Sequence, residues 1–363
     1  MGGLRWTVMG RAYCLLRLKP VASWLIFFLI RLRIQDSAGL FPPLTISTPI
    51  SSYPLLLTQL TRFKCGSICM GIGMFHTLVD GIAAVRFINS WADIARGLPN
   101  PHEPFMDRTV LSPRSPPSPT FHHAEYDPAP TMNAATQTQD FHSLSQVKTN
   151  STIHLKITPD FLATLKAMVN NSETRTKYTS YEALVAHIWR AATKARGLPS
   201  DQATRFHVAV NGRARLCPPI PEDYFGNVIF HARPVALAGE LQTEPLVSTV
   251  ERIHSSIKRM DNEYLRSAID FLALQDNLDA LVPMKGNEFY RSPNLAVGNW
   301  SRLPTTETDF GWGLPDYVRP ASMYSEGKGY ILTSPEKDGS LLLAICLETH
   351  YIQLFKKLFH DLN

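Results

Sequence analysis

Proline constrains the architecture of this chain more than any other residue type. Of 27 prolines in 363 residues, nine fall between residues 98 and 132. Each fixes φ at about −65° and removes a backbone donor, so neither a helix interior nor a central strand can run through that stretch. The segment is expected to be an extended crossover, and the Thr-, Gln-, Asn- and Ser-rich residues 133–151 that follow read as a loop. Regular structure must then be built on either side, which predicts two α/β lobes. The length suits two ordinary domains or one large one, and 44% hydrophobic residues are enough for real cores and too many for a disordered chain.

Before the crossover, Leu55–Phe63 and Ser67–Phe75 are rich in strand formers and are separated by Lys64, Cys65 and Gly66, the pattern of a hairpin. Ile82, Val85, Ile88, Trp91 and Ile94 then recur at helical spacing until Gly97-Leu98-Pro99 stops them. After the crossover, a strand is expected near 151–157 and a helix from Pro159 into Val169. A second helix is expected over Tyr181–Arg196, with Leu184, Ile188 and Trp189 on its apolar side. Strand and helix patterns alternate from there to the C-terminus.

Charge narrows the function. The formal net charge is +5, yet the first 33 residues hold Arg5, Arg11, Arg17, Lys19, Arg31 and Arg33 and no acid. The remaining 330 residues carry 30 basic and 31 acidic groups. A nucleic-acid footprint needs cations clustered on a fold, so that class of partner is set aside. Val21–Ile30 is an apolar run of ten, half of the roughly 20 residues a membrane span requires. No small-residue cleavage pattern follows it. It reads as a buried or non-native segment, and no stable membrane span is expected. Five scattered cysteines fit a reducing, cytoplasmic setting better than a disulfide framework, and Cys65 and Cys69 lack the second pair a zinc site needs. No metal and no bound cofactor are expected.

Two motifs carry the chemistry. His76-x-x-x-Asp80-Gly81 lies where a predicted strand meets a predicted helix. An imidazole that ionises near neutrality can take a proton from a hydroxyl or an amine. Asp80 could orient it or only shape the turn, and Gly81 would permit a tight backbone. By itself the pattern is common, and a half-buried histidine at a strand end is the plain alternative. A metal site on His76 and Asp80 lacks a third ligand at suitable spacing. The second motif, Asp309-Phe310-Gly311-Trp312-Gly313, reads as a rigid glycine-rich turn holding a large aromatic. Its first three letters occur in protein kinases, but the kinase catalytic loop and lysine strand are absent.

In this order and about 230 residues apart, HxxxDG and DFGWG resemble the signature of the plant BAHD acyl-CoA-dependent acyltransferases. SSYPLLLTQLTRFKCG, SYEALVAHIWRAATKARGLP, NGRARLCPP, YFGNVIF, RMDNEYLRSAIDFLALQ and PNLAVGNWSRLP are similar to the hydroxycinnamoyl-CoA:shikimate/quinate branch, and the likeness runs from about residue 40 to 363. It implies a two-lobed chloramphenicol-acetyltransferase-like fold with a channel between the lobes. The expected organisation is an atypical segment 1–40, an N-terminal lobe 41–132 and a C-terminal lobe 133–363. It implies an acyl-CoA co-substrate, a small-molecule acceptor, a monomer, and His76 as the general base with no covalent intermediate. Asp80 becomes structural, paired with Arg213 or Arg215. The DFGWG loop (Asp309, Gly311, Trp312, Gly313) is structural as well. Trp300 would be an acceptor-pocket aromatic, and Tyr178 and Ser180 would lie near the CoA arm.

Four departures matter. Phe75 stands where the branch usually has a first histidine. Gly298 replaces a threonine that can donate to the oxyanion, a loss that can be worth about 3–4 kcal/mol. The arginine that binds an acceptor carboxylate is missing from Leu281–Gly286. Lys285 there is cationic but lacks the bidentate fork. Lastly, His76 falls about 70–80 residues earlier than in the family, so the first lobe is expected to be incomplete. Three readings follow: transfer to an alcohol such as shikimate or quinate, N-acylation of spermidine or an aromatic amine, or a catalytically impaired member that only binds.

Overall fold

The computed structural model describes residues 24–30 (backbone), 54–99, 103–132, 149–170, 176–276, 290–321, 323 and 325–362. In chain order the elements begin with β1 (Trp24–Ile30), β2 (Leu56–Arg62), β3 (Ile68–Phe75), α1 (Gly81–Ala95), β4 (Asn150–Ile157), α2 (Pro159–Val169), α3 (Ser180–Ala195) and β5 (Ala203–Asn211). They continue with β6 (Ile229–Ala232), β7 (Val235–Leu237), α4 (Ala238–Thr243), α5 (Leu246–Lys258), α6 (Asn262–Ala273) and β8 (Leu295–Asn299). The last are β9 (Tyr317–Pro320), β10 (Lys328–Thr333), β11 (Leu341–Glu348) and α7 (Ile352–His360).

Two compact units result, and neither is one continuous stretch. Residues 1–110, 220–228 and 301–322 form the first, and residues 111–219, 229–300 and 323–363 the second. A linear reading puts one boundary at 132/133; in the structure the chain returns twice to the first unit. The returns have a physical basis in that unit's sheet and turns. β9 pairs with β1, and Phe105 donates its amide to Asp223 and accepts from Phe225.

The first unit is built on a four-stranded sheet of order β2-β3-β1-β9. The hairpin forms where the pattern predicts it, with Leu56 opposite Met74 and Arg62 opposite Ile68. Its turn closes through Gly66 at φ +87°, a conformation that favours glycine. The apolar run contributes β1, which pairs antiparallel with β3 (Trp24 with Phe75, Ile30 with Cys69) and with β9 (Ile30 with Tyr317). α1 buries Ala83, Ala84, Val85, Ile88 and Ala92; of the apolar positions read from the sequence, Val85 and Ile88 face the core, Ile82 and Trp91 are half-buried, and Ile94 is exposed.

The second unit carries a mixed sheet of order β4-β11-β10-β8-β5-β6, with β7 pairing beside β5. β8 lies parallel to both neighbours. α3 starts in a capping box between Thr179 and Glu182, which satisfies N–H groups that a helix start leaves open. Leu184, Ile188 and Trp189 are buried as its period predicts, and the Trp189 ring meets Phe206 of β5 at 5.5 Å.

Residues 111–132 of the proline-rich crossover belong to this unit and contain no regular element beyond short 3₁₀ turns. Four of their N–H groups are taken by side chains of α6. Asp270 accepts from the Arg114 and Ser118 amides at 2.8 and 3.0 Å, and Ser267 accepts from Thr120 and Phe121 at 2.9 and 3.1 Å. Where prolines prevent a ladder, buried acceptors on a helix complete the hydrogen bonding.

A buried ion pair ties β10 to its surroundings. Arg196, just after α3, meets Glu326 at 2.6 Å with both side chains 1% exposed. The second Glu326 oxygen accepts from the Ser292 amide at 2.6 Å, and Arg196 also donates to the Asn294 carbonyl at 2.9 Å.

Candidate active site

β3 ends at Phe75, and the chain turns through residues 76–78 into α1. Phe75 is buried and the His76 side chain is half-buried at the strand end. Asp80 caps the helix: its Oδ1 accepts from the Ala83 amide at 3.0 Å. Its Oδ2 accepts from the Val228 amide at 3.0 Å, and its own amide donates to the Gly226 carbonyl. The carboxylate is fully buried. Asn227, between those two residues, donates its side-chain amide to the His76 and Thr77 carbonyls at 2.8 and 3.1 Å. The turn bearing the imidazole is therefore fixed from both sides by Gly226, Asn227 and Val228. Asp80 acts on the turn and the helix start.

Asp80→Ala removes a helix cap and leaves the buried Val228 N–H without this acceptor. A loss of about 2–4 kcal/mol is expected, with Asp80→Asn recovering part of it. Urea denaturation of the three proteins measures this.

Gly81 differs from its expected role. It is the first residue of α1 and has no positive φ. A methyl group added there would meet Leu303 at an ordinary 3.5 Å. The tight-turn argument does not hold at this position, and nothing else in the structure explains the glycine. Gly311 and Gly313 do adopt the positive φ that favours glycine, both at +92°. Their amides donate to Asp309 Oδ1 at 2.8 and 3.0 Å, closing the DFGWG turn on its own carboxylate. Those amides, Gly311's first, and Arg96 hold the Asp309 carboxyl below the usual carboxylate range.

The DFGWG segment runs along α1. Asn89 donates to the Pro304 carbonyl at 3.1 Å, and its side-chain oxygen accepts from the Thr308 hydroxyl. Trp91 meets Phe310 edge-on at 5.1 Å, and Arg96 lies 3.5 Å from Asp309. The glycine turn is thus docked at the C-terminal end of a 15-residue helix whose N-terminal end adjoins the histidine turn. That is a separation of roughly 22 Å at 1.5 Å per residue. The two motifs brace one helix from opposite ends.

The remaining expected residues lie in the second unit. Trp300 follows β8, bonds the Ile331 carbonyl through its amide and meets Tyr330 edge-on at 5.0 Å. Tyr178 is buried, and its hydroxyl donates to Glu251 at 2.5 Å, the bond that raises its pKa. Ser180 is the first residue of α3. The buried Arg213 bonds the Asn211 side chain, and Arg215 donates to the Ile257 and Met260 carbonyls at the end of α5. Lys285 lies outside the described residues, as do most of residues 1–40 and 133–151. Asn227 was missed: it sits inside the YFGNVIF string, where no spacing or composition marks it as the support of a turn 151 residues earlier. Among the described residues no three His, Cys, Asp or Glu side chains are grouped to hold a metal ion, and no helix is long and apolar enough to cross a membrane.

The chain that carries this histidine turn and DFGWG turn is similar to known proteins in sequence and in fold. Residues 29–362 match the Transferase family, and the chain belongs to this family, that of the BAHD acyltransferases. It is 43% identical over 323 residues to shikimate O-hydroxycinnamoyltransferase of Nicotiana tabacum, covering 89% of this chain and 73% of the relative. It is 42% identical to the hydroxycinnamoyl-CoA:5-hydroxyanthranilate N-hydroxycinnamoyltransferase HHT4 of Avena sativa, covering 89% and 72%. In fold it is similar to F. sporotrichioides TRI101 (TM-score 0.69, 18% identity, 90% of this chain and 73% of that one). Vinorine synthase is also similar (TM-score 0.60, 16% identity, 88% and 67%).

Proposed function

We propose that the protein transfers a hydroxycinnamoyl group from its CoA thioester to the hydroxyl of a small acceptor, with His76 as general base. The observation that carries this reading is the immobilised strand-end turn, which holds the His76 and Thr77 carbonyls on Asn227 and the helix start on Asp80. A base presented on such a turn keeps its geometry through a reaction cycle. In the reaction, the imidazole takes the hydroxyl proton as the oxygen attacks the thioester carbonyl. The tetrahedral oxyanion collapses, the C–S bond breaks, and the imidazolium returns the proton to the CoA thiolate. Each proton and electron pair is accounted for without a covalent enzyme intermediate. Acyl-CoA is a co-substrate here, not a resident cofactor. Trp300 is assigned to the acceptor, and Tyr178 and Ser180 to the CoA arm. With Gly298 in place of threonine, oxyanion stabilisation falls to other donors.

The second reading, transfer to an amine, is favoured by the likeness to the Avena sativa N-hydroxycinnamoyltransferase. Incubating p-coumaroyl-CoA with shikimate, quinate, spermidine and 5-hydroxyanthranilate separates the two. Ester products with the first pair are expected. Amide products alone would replace this reading by the second, and no product with any acceptor would leave the chain a binding protein.

A further inference from the structure

One face of the second unit's sheet gathers several basic side chains around Lys328. Lys328 on β10 pairs across the ladder with Ala296 of β8, and Ala296 pairs with His207 of β5. The Lys328 side chain is half-buried. Its ammonium sits 5.3 Å from the Tyr290 ring centre and 5.5 Å from that of Tyr330. Its pKa is raised above the usual lysine range, by Tyr330 first, against the lowering effect of burial. Among the described residues no carboxylate forms an ion pair with it. The acid nearest in sequence, Glu326, is bound to Arg196. Two aromatic faces attract a cation only weakly. They do not replace a counter-ion once water is displaced.

The surroundings have the same sign. The His207 ring meets Tyr290 edge-on at 5.5 Å. Burial, and after it the charges of Arg233, His231 and Arg205, push His207 well below the usual histidine range. Burial and Arg205 likewise lower Arg233 to about 10, against partial compensation by Tyr290, Tyr126 and Glu125. Arg233 and Arg205 add further cationic groups beside His207, and cations placed together would repel an entering polyamine. The cluster also connects to Trp300, because the Tyr330 ring that flanks Lys328 is the one Trp300 touches. Tyr330 can lean there because Gly298 has no side chain: a methyl group at that position would come within 3.3 Å of the ring.

We propose that Lys328, held between Tyr290 and Tyr330, binds the carboxylate of the acceptor, and that the acceptor is therefore a hydroxy acid and not a polyamine. This rests on the assignment of the chain as an acyltransferase with Trp300 on its acceptor, and it deepens that assignment to a substrate class. The missing arginine of the Leu281–Gly286 segment is then replaced by a cation on a different element, not by Lys285.

The test reads binding as well as turnover. Calorimetric titration with shikimate and with its methyl ester is carried out on the full chain and on Lys328→Met, Lys328→Arg and Lys285→Met, each checked by thermal melting. Loss of one charge-assisted contact is expected to weaken shikimate about 10–100-fold in Lys328→Met. Lys328→Arg is expected to lie in between, and the methyl ester and Lys285→Met are expected to show little change. The inference is overturned if folded Lys328→Met keeps the preference for acid over ester, if that preference moves with Lys285 instead, or if shikimate and quinate do not bind the unaltered protein. Binding that behaves as expected while no acceptor is acylated would sink the transferase assignment and leave the Lys328 site standing.

Discussion

Replacing His76 by alanine is expected to lower kcat for acyl transfer about 10²–10⁴-fold, the usual contribution of a positioned general base. The physical reason lies in the acceptor. A neutral alcohol is a poor nucleophile, and full deprotonation at neutral pH is costly, so the proton must leave as the C–O bond forms. An imidazole ionises close to neutrality and can both take that proton and return it to the departing thiolate. Asn227 and Asp80 fix the backbone at and just after the residue, so truncation at Cβ should change the chemistry and leave the turn in place. Release of CoA thiol under saturating donor measures kcat, and a melting curve shows that the variant is folded. Donor KM should stay nearly constant. A variant that turned over within a few-fold of the unaltered enzyme would place proton transfer on another group.

The largest effect on stability is expected at the Arg196–Glu326 pair. Both side chains are almost fully removed from water and share bonds with Ser292 and Asn294. Glu326→Ala leaves a buried guanidinium without its counter-charge and the Ser292 amide without this acceptor, at a cost of about 3–5 kcal/mol. Glu326→Gln keeps the acceptor and should cost less. Replacing both partners with apolar residues of similar volume should recover much of the loss, because it removes the burden of burying charge in the first place. Denaturant melts of the three variants measure this. If the double replacement were as damaging as the single one, the pair would be a net stabiliser in its own right.

Local pattern made much of this molecule readable in advance. The period of Ile82, Val85, Ile88 and Trp91 gave α1, and Lys64-Cys65-Gly66 gave the hairpin turn. The prolines gave a crossover without regular elements. The glycines of DFGWG were legible as a turn, though not the closure on Asp309. Gly81 was expected to serve a tight backbone that the helix start does not contain. What stayed hidden depends on distance along the chain. Arg196 and Glu326 lie 130 residues apart, and Asn227 and His76 lie 151 apart. No window of sequence contains both members of either pair. The same holds for the discontinuous units, since nothing near residues 301–322 announces that β9 will join a strand at residues 24–30. Lys328 was overlooked because a lone lysine in a strand is unremarkable until its neighbours across the ladder are known.

β1 has a consequence for the chain's behaviour in solution. Its backbone covers one side of β3 from Cys69 to Phe75 and one side of β9 from Tyr317 to Pro320. A protease cut or an engineered start that removed residues 24–30 would bare both edges at once, in a unit whose sheet has only four strands. Exposed edges of that kind are templates for pairing with other chains. The released heptapeptide WLIFFLI has no charge and no proline, the composition from which stacked β-aggregates form. Trimming a stretch that looks dispensable by likeness alone would then cost the preparation its solubility before any question of catalysis could be asked.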